Sequence, residues 1–137
     1  MTGTKDFFIL HIDDNSICNF ILESGLKQVQ SSICMEFGRS GEEGIEILKR
    51  RLRELGSTKF MPDMILVDIN MPAMTGIDFV KSIVHEFGPP AIEKTKICFN
   101  SISLSPKSMM EMQTLDVTYQ YIEKPVKEKK LVEILTS

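Results

Sequence analysis

Five short apolar runs alternate with five amphipathic patterns, and this alternation constrains the fold more than any other feature of the sequence. The runs predict strands at residues 7–12, 33–37, 65–67, 96–100 and 117–122. Apolar residues recur at helical spacing after each strand, as at Ile17, Phe20, Ile21 and Leu26. Such alternation predicts an α/β fold with right-handed crossovers. For five units we expect a flavodoxin-like (βα)5 three-layer sandwich, with a parallel sheet of order 2-1-3-4-5.

The third strand is the most informative segment. Ile65, Leu66 and Val67 show no polar alternation, which is typical of a strand buried on both faces. The run stops at Asp68, and the structure breakers Pro72 and Gly76 follow. We therefore expect Asp68 at the carboxyl end of a central strand, where open α/β sheets bind their ligands.

The composition of the chain argues against a nucleic-acid-binding or membrane-spanning protein. The 137 residues suit one domain over residues 1–137, and a net charge of -3 without a clustered basic face argues against direct nucleic-acid binding. No apolar run approaches the roughly 20 residues that cross a membrane. Three cysteines without a signal peptide predict a reducing, cytoplasmic location. Cys34 and Cys98 lie in apolar runs and are predicted to be buried.

Chemically active side chains follow four of the five predicted strands. Asp13 and Asp14 end the first strand, Asp68 the third, Ser101 the fourth and Lys124 the fifth. The carboxyl ends of parallel strands share one edge, so the five side chains should converge. Adjacent acids repel each other, and a divalent cation such as Mg²⁺ is the expected partner. The set predicts phosphoryl transfer to the Asp68 carboxylate, assisted by the Lys124 ammonium and the Ser101 hydroxyl.

His11 lies one residue before this edge, inside the first strand. A packed or hydrogen-bonded core histidine is the expected role there, in preference to a metal ligand.

Several motifs in this order resemble the receiver domain of two-component response regulators, over essentially the whole chain. They are Asp13-Asp14, residues 67–72 with Gly76, Ser101, and residues 121–125. The resemblance implies that Asp68 accepts a phosphoryl group from a histidine kinase or a histidine phosphotransfer protein. It also implies that Asp14, Asp68 and the backbone carbonyl of Asn70 bind Mg²⁺, with Asp13 acting through water.

The same resemblance implies a conformational switch. Ser101 would move toward the phosphoryl group while Tyr121 turns inward behind it, although Ser103 competes with Ser101 for this role. Tyr121 also has an ordinary explanation as a core aromatic. Asn70 and Ser103 would tune dephosphorylation. The face formed by the fourth strand, fourth helix and fifth strand would bind an unknown protein target, and the fourth strand with the fifth helix would allow a homodimer.

Three other functions remain open from the residues alone. A Mg²⁺-dependent phosphatase would need a second acid shortly after the nucleophile, and Asn70 occupies that position. A purely structural binding module would leave the acids and Lys124 without a role. A flavin-binding protein would need a hydroxyl-rich loop after the first strand, where Asp13 and Asp14 stand. The expected class is thus a signalling module that catalyses only its own phosphorylation and dephosphorylation.

Ile102 follows Ser101 where the family usually has a small residue. We expect it to overhang the site and to slow the entry of water or phosphodonor. The variant Ile102→Ala should therefore be phosphorylated and dephosphorylated faster than wild type, as measured by intact mass over time. Unchanged rates would remove this role for Ile102.

Overall fold

The computed structural model describes residues 6–30 and 32–137, apart from the side chains of Ser16 and Cys18. Its five strands form one parallel sheet of order β2-β1-β3-β4-β5. The strands are β1 (Phe7–Ile12), β2 (Ile33–Gly38), β3 (Met64–Asp68), β4 (Lys96–Ser101) and β5 (Tyr119–Glu123). The helices are α1 (Ser16–Val29), α2 (Gly41–Leu55), α3 (Gly76–Phe87), the single turn α4 (Pro89–Ile92), α5 (Pro106–Gln113) and α6 (Glu128–Thr136). The predicted fold and strand order are confirmed.

The sheet separates two apolar cores. Side chains alternate between its faces, so Ile65 and Val67 enter one core with Phe79 of α3, while Leu66 enters the other with Leu26 of α1. Every residue of β3 is buried, as its continuous apolar run predicts. The central strand thereby carries Asp68 rigidly to the sheet edge.

Two predicted boundaries were wrong. The fifth strand begins at Tyr119, not at residue 117, because Tyr119 pairs with Ile97 and residue 117 would lie opposite Thr95, before β4 starts. The spacing of Val126, Leu131, Ile134 and Leu135 predicts a last helix that includes Val126, but the helix begins at Glu128 and Val126 lies in the connection before it. The sequence Gly88-Pro89-Pro90 ends α3, and the single turn α4 begins at Pro89.

Helix α1 buries Leu26 of its predicted apolar pattern but leaves Ile17, Phe20 and Ile21 exposed. Ile17, Phe20 and Ile21 are 72%, 69% and 61% exposed, while Leu22 and Leu26 face the core. An apolar face at helical spacing thus remains in solvent next to the acid-bearing edge.

The cysteine prediction was half right. Cys98 is buried in the central sheet, but Cys34 is exposed on β2, which pairs only with β1 and forms the sheet edge. The methionines of α5 differ in exposure as well. Met112 is buried, while Met109 and Met110 are 48% and 69% exposed.

The start of α3 is pressed against the end of β3. A capping box between Thr75 and Asp78 begins the helix, and the Gly76 N–H donates to the Ile69 carbonyl at 3.1 Å. A Cβ on Gly76 would lie 2.4 Å from the backbone oxygen of Asp68. Only glycine fits this contact without moving the backbone that carries Asp68.

The variant Gly76→Ala should lower the free energy of unfolding by about 2 kcal/mol or more, because the clash involves backbone atoms. Gly25→Ala is the matched control. A Cβ there meets the end of the flexible Glu128 side chain, which can rotate away, and alanine favours the helix by about 1 kcal/mol. Urea unfolding followed by circular dichroism measures both variants. Equal effects of the two substitutions would contradict the tight contact at Gly76.

Candidate functional site

The carboxyl edge of the sheet brings the three predicted acids together. Carboxylate oxygens of Asp13, Asp14 and Asp68 all lie within 4.8 Å of one another. Asp13 and Asp68 are buried, whereas Asp14 is exposed. The arrangement places one accessible and two sheltered carboxylates around a single point.

Lys124 joins the two buried acids. Its Nζ donates to Oδ2 of Asp13 at 2.8 Å and to Oδ2 of Asp68 at 2.9 Å, and its side chain is 20% exposed. The ammonium offsets the repulsion between two buried carboxylates. The peptide bond that follows, to Pro125, is cis.

Backbone N–H groups hold the remaining oxygens of both acids. The Asn15 N–H donates to Oδ1 of Asp13 at 2.9 Å, and the Asn70 N–H donates to Oδ1 of Asp68 at 2.9 Å. In each case the donor lies two residues after the acid, in an Asx turn that the strand end makes available. Both carboxylates are therefore oriented from two sides.

Burial and hydrogen bonding act in opposite directions on these charges. Burial raises the pKa of Asp68, and the bonds from Lys124 and the Asn70 N–H only partly oppose it. For Lys124, burial lowers the pKa, but the bonds to Asp13 and Asp68 outweigh it and the net shift is upward. Lys124 is thus a permanent cation at neutral pH.

The hydroxyl groups beside the acids form a short chain. Ser101 is buried and its Oγ donates to the Ser103 carbonyl at 2.9 Å. The Ser101 Oγ and Tyr121 Oη atoms are 2.6 Å apart, and Tyr121 is the donor because the single Ser101 proton is already used. Ser103 is exposed and contributes its backbone carbonyl. The geometry favours Ser101 over Ser103 as the hydroxyl of the predicted switch.

The two remaining predicted positions lie at the rim. Asn70 is exposed, and its Nδ2 donates to the Ser103 carbonyl at 3.4 Å. Ile102 is 80% exposed and lines a cleft that also includes Asp13 and Lys124. Their predicted effects on phosphorylation and dephosphorylation stay predictions.

His11 is a packed core residue, as expected. It is 2% exposed and meets Phe37 edge-on, with ring centroids 5.9 Å apart. Its Nε2 lies 4.0 Å from Oδ2 of Asp13, and neither ring nitrogen has a hydrogen-bond partner among the described residues. Burial lowers the pKa of His11 to about 4, although the Asp13 charge partly opposes the shift.

Two buried polar residues lie close to this edge; sequence reasoning missed Asn19, whereas Asn100 is visible in the sequence as a polar residue in an apolar strand. Asn19 of α1 is buried and its Nδ2 donates to the Asp13 carbonyl at 3.3 Å. Asn100 of β4 is 1% exposed, and its Oδ1 has no partner in the described part of the chain. The Asn19 contact leaves no local signal in the sequence, since it depends on how α1 packs against the end of β1.

The donor set fits a hard divalent cation. Mg²⁺ prefers oxygen ligands and is commonly held by one or two carboxylates, and three carboxylates meet here without a sulfur or imidazole among them. Asp13, Asp14 and Asp68 are the residues that would hold it.

The lowered pKa of the buried His11 predicts that the stability of the protein depends on pH. Between about pH 6.5 and pH 4 the unfolded chain binds a proton at His11 that the folded protein does not, so stability falls as the pH drops through this window. The loss should reach about 3 kcal/mol. In His11→Val the fall between pH 7 and pH 4 should be smaller by about this amount, as measured by urea unfolding in Mg²⁺-free buffer. Parallel pH profiles for the two proteins would refute the assignment.

Comparison with known proteins agrees with the site. The model of the response regulator receiver domain family matches residues 9–136. A protein-glutamate methylesterase/protein-glutamine glutaminase 1 of Oleidesulfovibrio alaskensis is 24% identical over 130 residues, 88% of this chain and 33% of that protein. The chain thus spans about a third of that curated relative.

Two solved structures share the fold. A two-component response regulator from Legionella pneumophila has a TM-score of 0.76 at 23% identity, and one from Cytophaga hutchinsonii has 0.75 at 26%. Each comparison covers 96% of both chains. The chain belongs to the response regulator receiver domain family, and its function is that of a phosphoacceptor module in two-component signal transduction.

Proposed function

We propose that Asp68 is the phosphoacceptor and that it takes a phosphoryl group from a phosphohistidine donor in the presence of Mg²⁺. One observation carries this proposal: Lys124 bonds to both Asp68 and Asp13 at the edge where three carboxylates meet. Asp68 occupies the central strand of this group and is oriented by the Asn70 N–H. The other two acids flank it.

The proposed reaction is a displacement at phosphorus. A carboxylate oxygen of Asp68 forms a bond to phosphorus while the bond from phosphorus to the donor histidine nitrogen breaks, and that nitrogen keeps the electron pair. Mg²⁺, when bound, supplies positive charge that offsets the phosphoryl oxygens. Lys124 supplies a second cation and can exchange a carboxylate oxygen for a phosphoryl oxygen.

The switch in this proposal is the pair Ser101 and Tyr121. A phosphoryl group on Asp68 offers the Ser101 hydroxyl a charged acceptor, which competes with its present bond to the Ser103 carbonyl. Tyr121 donates to the same hydroxyl, so a shift of Ser101 would change the position of the tyrosine ring on β5. Phosphorylation would thereby shift the balance between two proposed arrangements of this surface.

The partner surfaces are proposed from exposed apolar side chains. Met109 and Met110 on α5 lie on the face of β4, α5 and β5, where an unknown protein target would bind. Ile17, Phe20 and Ile21 of α1 lie beside the acids and suit the apolar surface of a histidine kinase or histidine phosphotransfer protein. A homodimer through β4 and α6 remains a hypothesis from the family.

The proposal also includes the extent of the domain, its cellular location and the absence of a separate substrate. One continuous sheet and one family match support a single receiver domain over residues 1–137. Cytoplasmic location is supported by the free thiols of Cys34 and Cys98. No helix in the described part of the chain is long and apolar enough to span a membrane. The domain would act on itself and would not turn over a separate substrate.

Incubation with acetyl phosphate and Mg²⁺, followed by intact-mass analysis, tests the acceptor. Wild type should gain the mass of one phosphoryl group, and Asp68→Asn should gain none because its amide cannot act as the nucleophile. EDTA should suppress the gain in wild type.

Asp116→Asn is the matched control. Asp116 is exposed and precedes β5, so it lies at the amino ends of the strands, away from Asp68 at their carboxyl ends. This variant should therefore be phosphorylated like wild type. A full gain of mass in Asp68→Asn, or none in a folded wild type that binds Mg²⁺, would reject Asp68 as the acceptor.

A further inference from the structure

The connection between β3 and α3, residues 69–75, contains an unusual turn. Ala73 has a φ of 67°, and in the described part of the chain it is the one residue other than glycine with a positive φ. The Met74 N–H donates to the Pro72 carbonyl at 2.7 Å, so three residues close the turn. A three-residue turn with a positive φ at its centre is the rarer and more strained of the two kinds of γ-turn.

Packing at both ends of the turn holds it in place. Met71, before the turn, is buried in the core on the α3 side of the sheet, and Met74, after it, is half-buried against the same core. Pro72 and Ala73 between them are exposed. An alanine is more stable at negative φ, so a turn of this kind persists only where its surroundings enforce it. The two methionine side chains supply that constraint.

Met74 packs on a glycine of another helix. Gly41 is the first residue of α2 and is buried. A Cβ on Gly41 would overlap the Met74 Sδ atom and would lie 2.9 Å from its Cγ atom. The Met74 side chain therefore has its place on α2 because residue 41 has no side chain.

The connection is closed at its base, which links the turn to the acids. The Gly76 N–H donates to the Ile69 carbonyl at 3.1 Å. With the ends fixed, a rotation of Ala73 toward negative φ must be offset by rotations at other residues of the connection. The φ of Pro72 is locked by its ring, so the compensation extends to Asn70.

Asn70 is the residue of this connection that orients the Asp68 side chain. Its N–H donates to Oδ1 of Asp68 at 2.9 Å, and its carbonyl is the backbone ligand expected for Mg²⁺. A hydrogen bond weakens steeply when its angle is bent, and Mg²⁺ demands nearly ideal octahedral geometry. Small rotations of the Asn70 backbone would therefore affect both interactions.

We propose that Met74 is a positioning residue of the phosphoacceptor site: packed on Gly41, it holds the γ-turn at Ala73 and thereby keeps the Asn70 backbone against Asp68. Met74 acts through Asn70 and is not itself a catalytic residue. The consequence for Mg²⁺ binding rests on the proposed function, whereas the consequence for the Asn70 backbone does not.

Hydrogen exchange of the Asn70 amide tests the backbone directly. The ¹⁵N-labelled protein is studied without Mg²⁺ or phosphodonor, under conditions where every variant is folded. In Met74→Ala the Asn70 amide should exchange about tenfold faster than in wild type, because its bond to Asp68 opens more often. The amide of Leu66, inside β3, reports global unfolding in the same sample and corrects for any loss of stability.

Met61→Ala is the matched control. Met61 is also half-buried against the same core, but it precedes β3, at the amino ends of the strands. The substitution removes the same side chain, so it should lower stability and leave the exchange of the Asn70 amide as in wild type. A general loosening of the core would instead raise this exchange in both variants.

Gly41→Ala tests the contact from the other side, because it changes α2 and leaves the connection itself intact. The added methyl group displaces Met74, so the exchange of the Asn70 amide should rise about fivefold. In a Met74→Ala background the same substitution should have less than about a twofold further effect, since the side chain that it displaces is gone.

Mg²⁺ affinity measures the consequence for the site. The cation is titrated into the ¹⁵N-labelled proteins, and the amide shifts of Asp13 and Asp14 are followed. Met74→Ala and Gly41→Ala should bind Mg²⁺ about fivefold to tenfold more weakly than wild type, and Met61→Ala should bind it equally well.

Two results would overturn the proposal. One is an exchange rate of the Asn70 amide that is unchanged in Met74→Ala, or that rises equally in Met61→Ala. The other is a rise confined to Met74→Ala without a change in Mg²⁺ affinity, since the displaced backbone would then not belong to the site. A folded wild type that binds no Mg²⁺ would instead refute the proposed function, and hydrogen exchange would still decide whether Met74 positions Asn70.

Discussion

The hydrogen bonds of Lys124 to Asp13 and Asp68 are the interaction on which the site depends. Two buried carboxylates at this distance would repel each other, and the ammonium between them makes their shared burial tolerable. The same bonds tie β5 to β1 and β3, so the charge balance of the site also connects strands that are far apart in the sequence. Lys124 therefore contributes both to the charge balance of the site and to the contacts between strand ends.

The backbone around Asp68 leaves little freedom for this carboxylate. Strand β3 is buried along its whole length, the Asn70 N–H orients one oxygen, and Gly76 brings the start of α3 against the Asp68 carbonyl. If Asp68 is the nucleophile, as proposed, a carboxylate held in this way loses little orientational freedom on reaction. By contrast, Asp14, Asn70 and Ile102 are exposed at the rim, where partners and water have access.

On the face of the sheet toward α1 and α6, the buried side chains change from apolar to polar along the strands. It is apolar through Ile9, Leu66 and Cys98, and then becomes polar at His11 and Asn100, below the acids. The outer surface of α1 reverses the usual pattern too, because Ile17, Phe20 and Ile21 face solvent. Both deviations from the usual pattern lie near the site, and functional sites are where residues most often depart from the pattern that stability alone would favour.

Local sequence patterns were enough to predict the fold class, the strand order and the convergence of Asp13, Asp14, Asp68 and Lys124, because alternation and strand ends can be read along the chain and a parallel sheet brings its strand ends to one edge. Tertiary structure alone decided which side of α1 is buried, that Cys34 is exposed on an edge strand, and that Ser101 rather than Ser103 meets Tyr121. Each of these depends on how separate elements pack, and hydrophobic periodicity describes a single element without naming its neighbours.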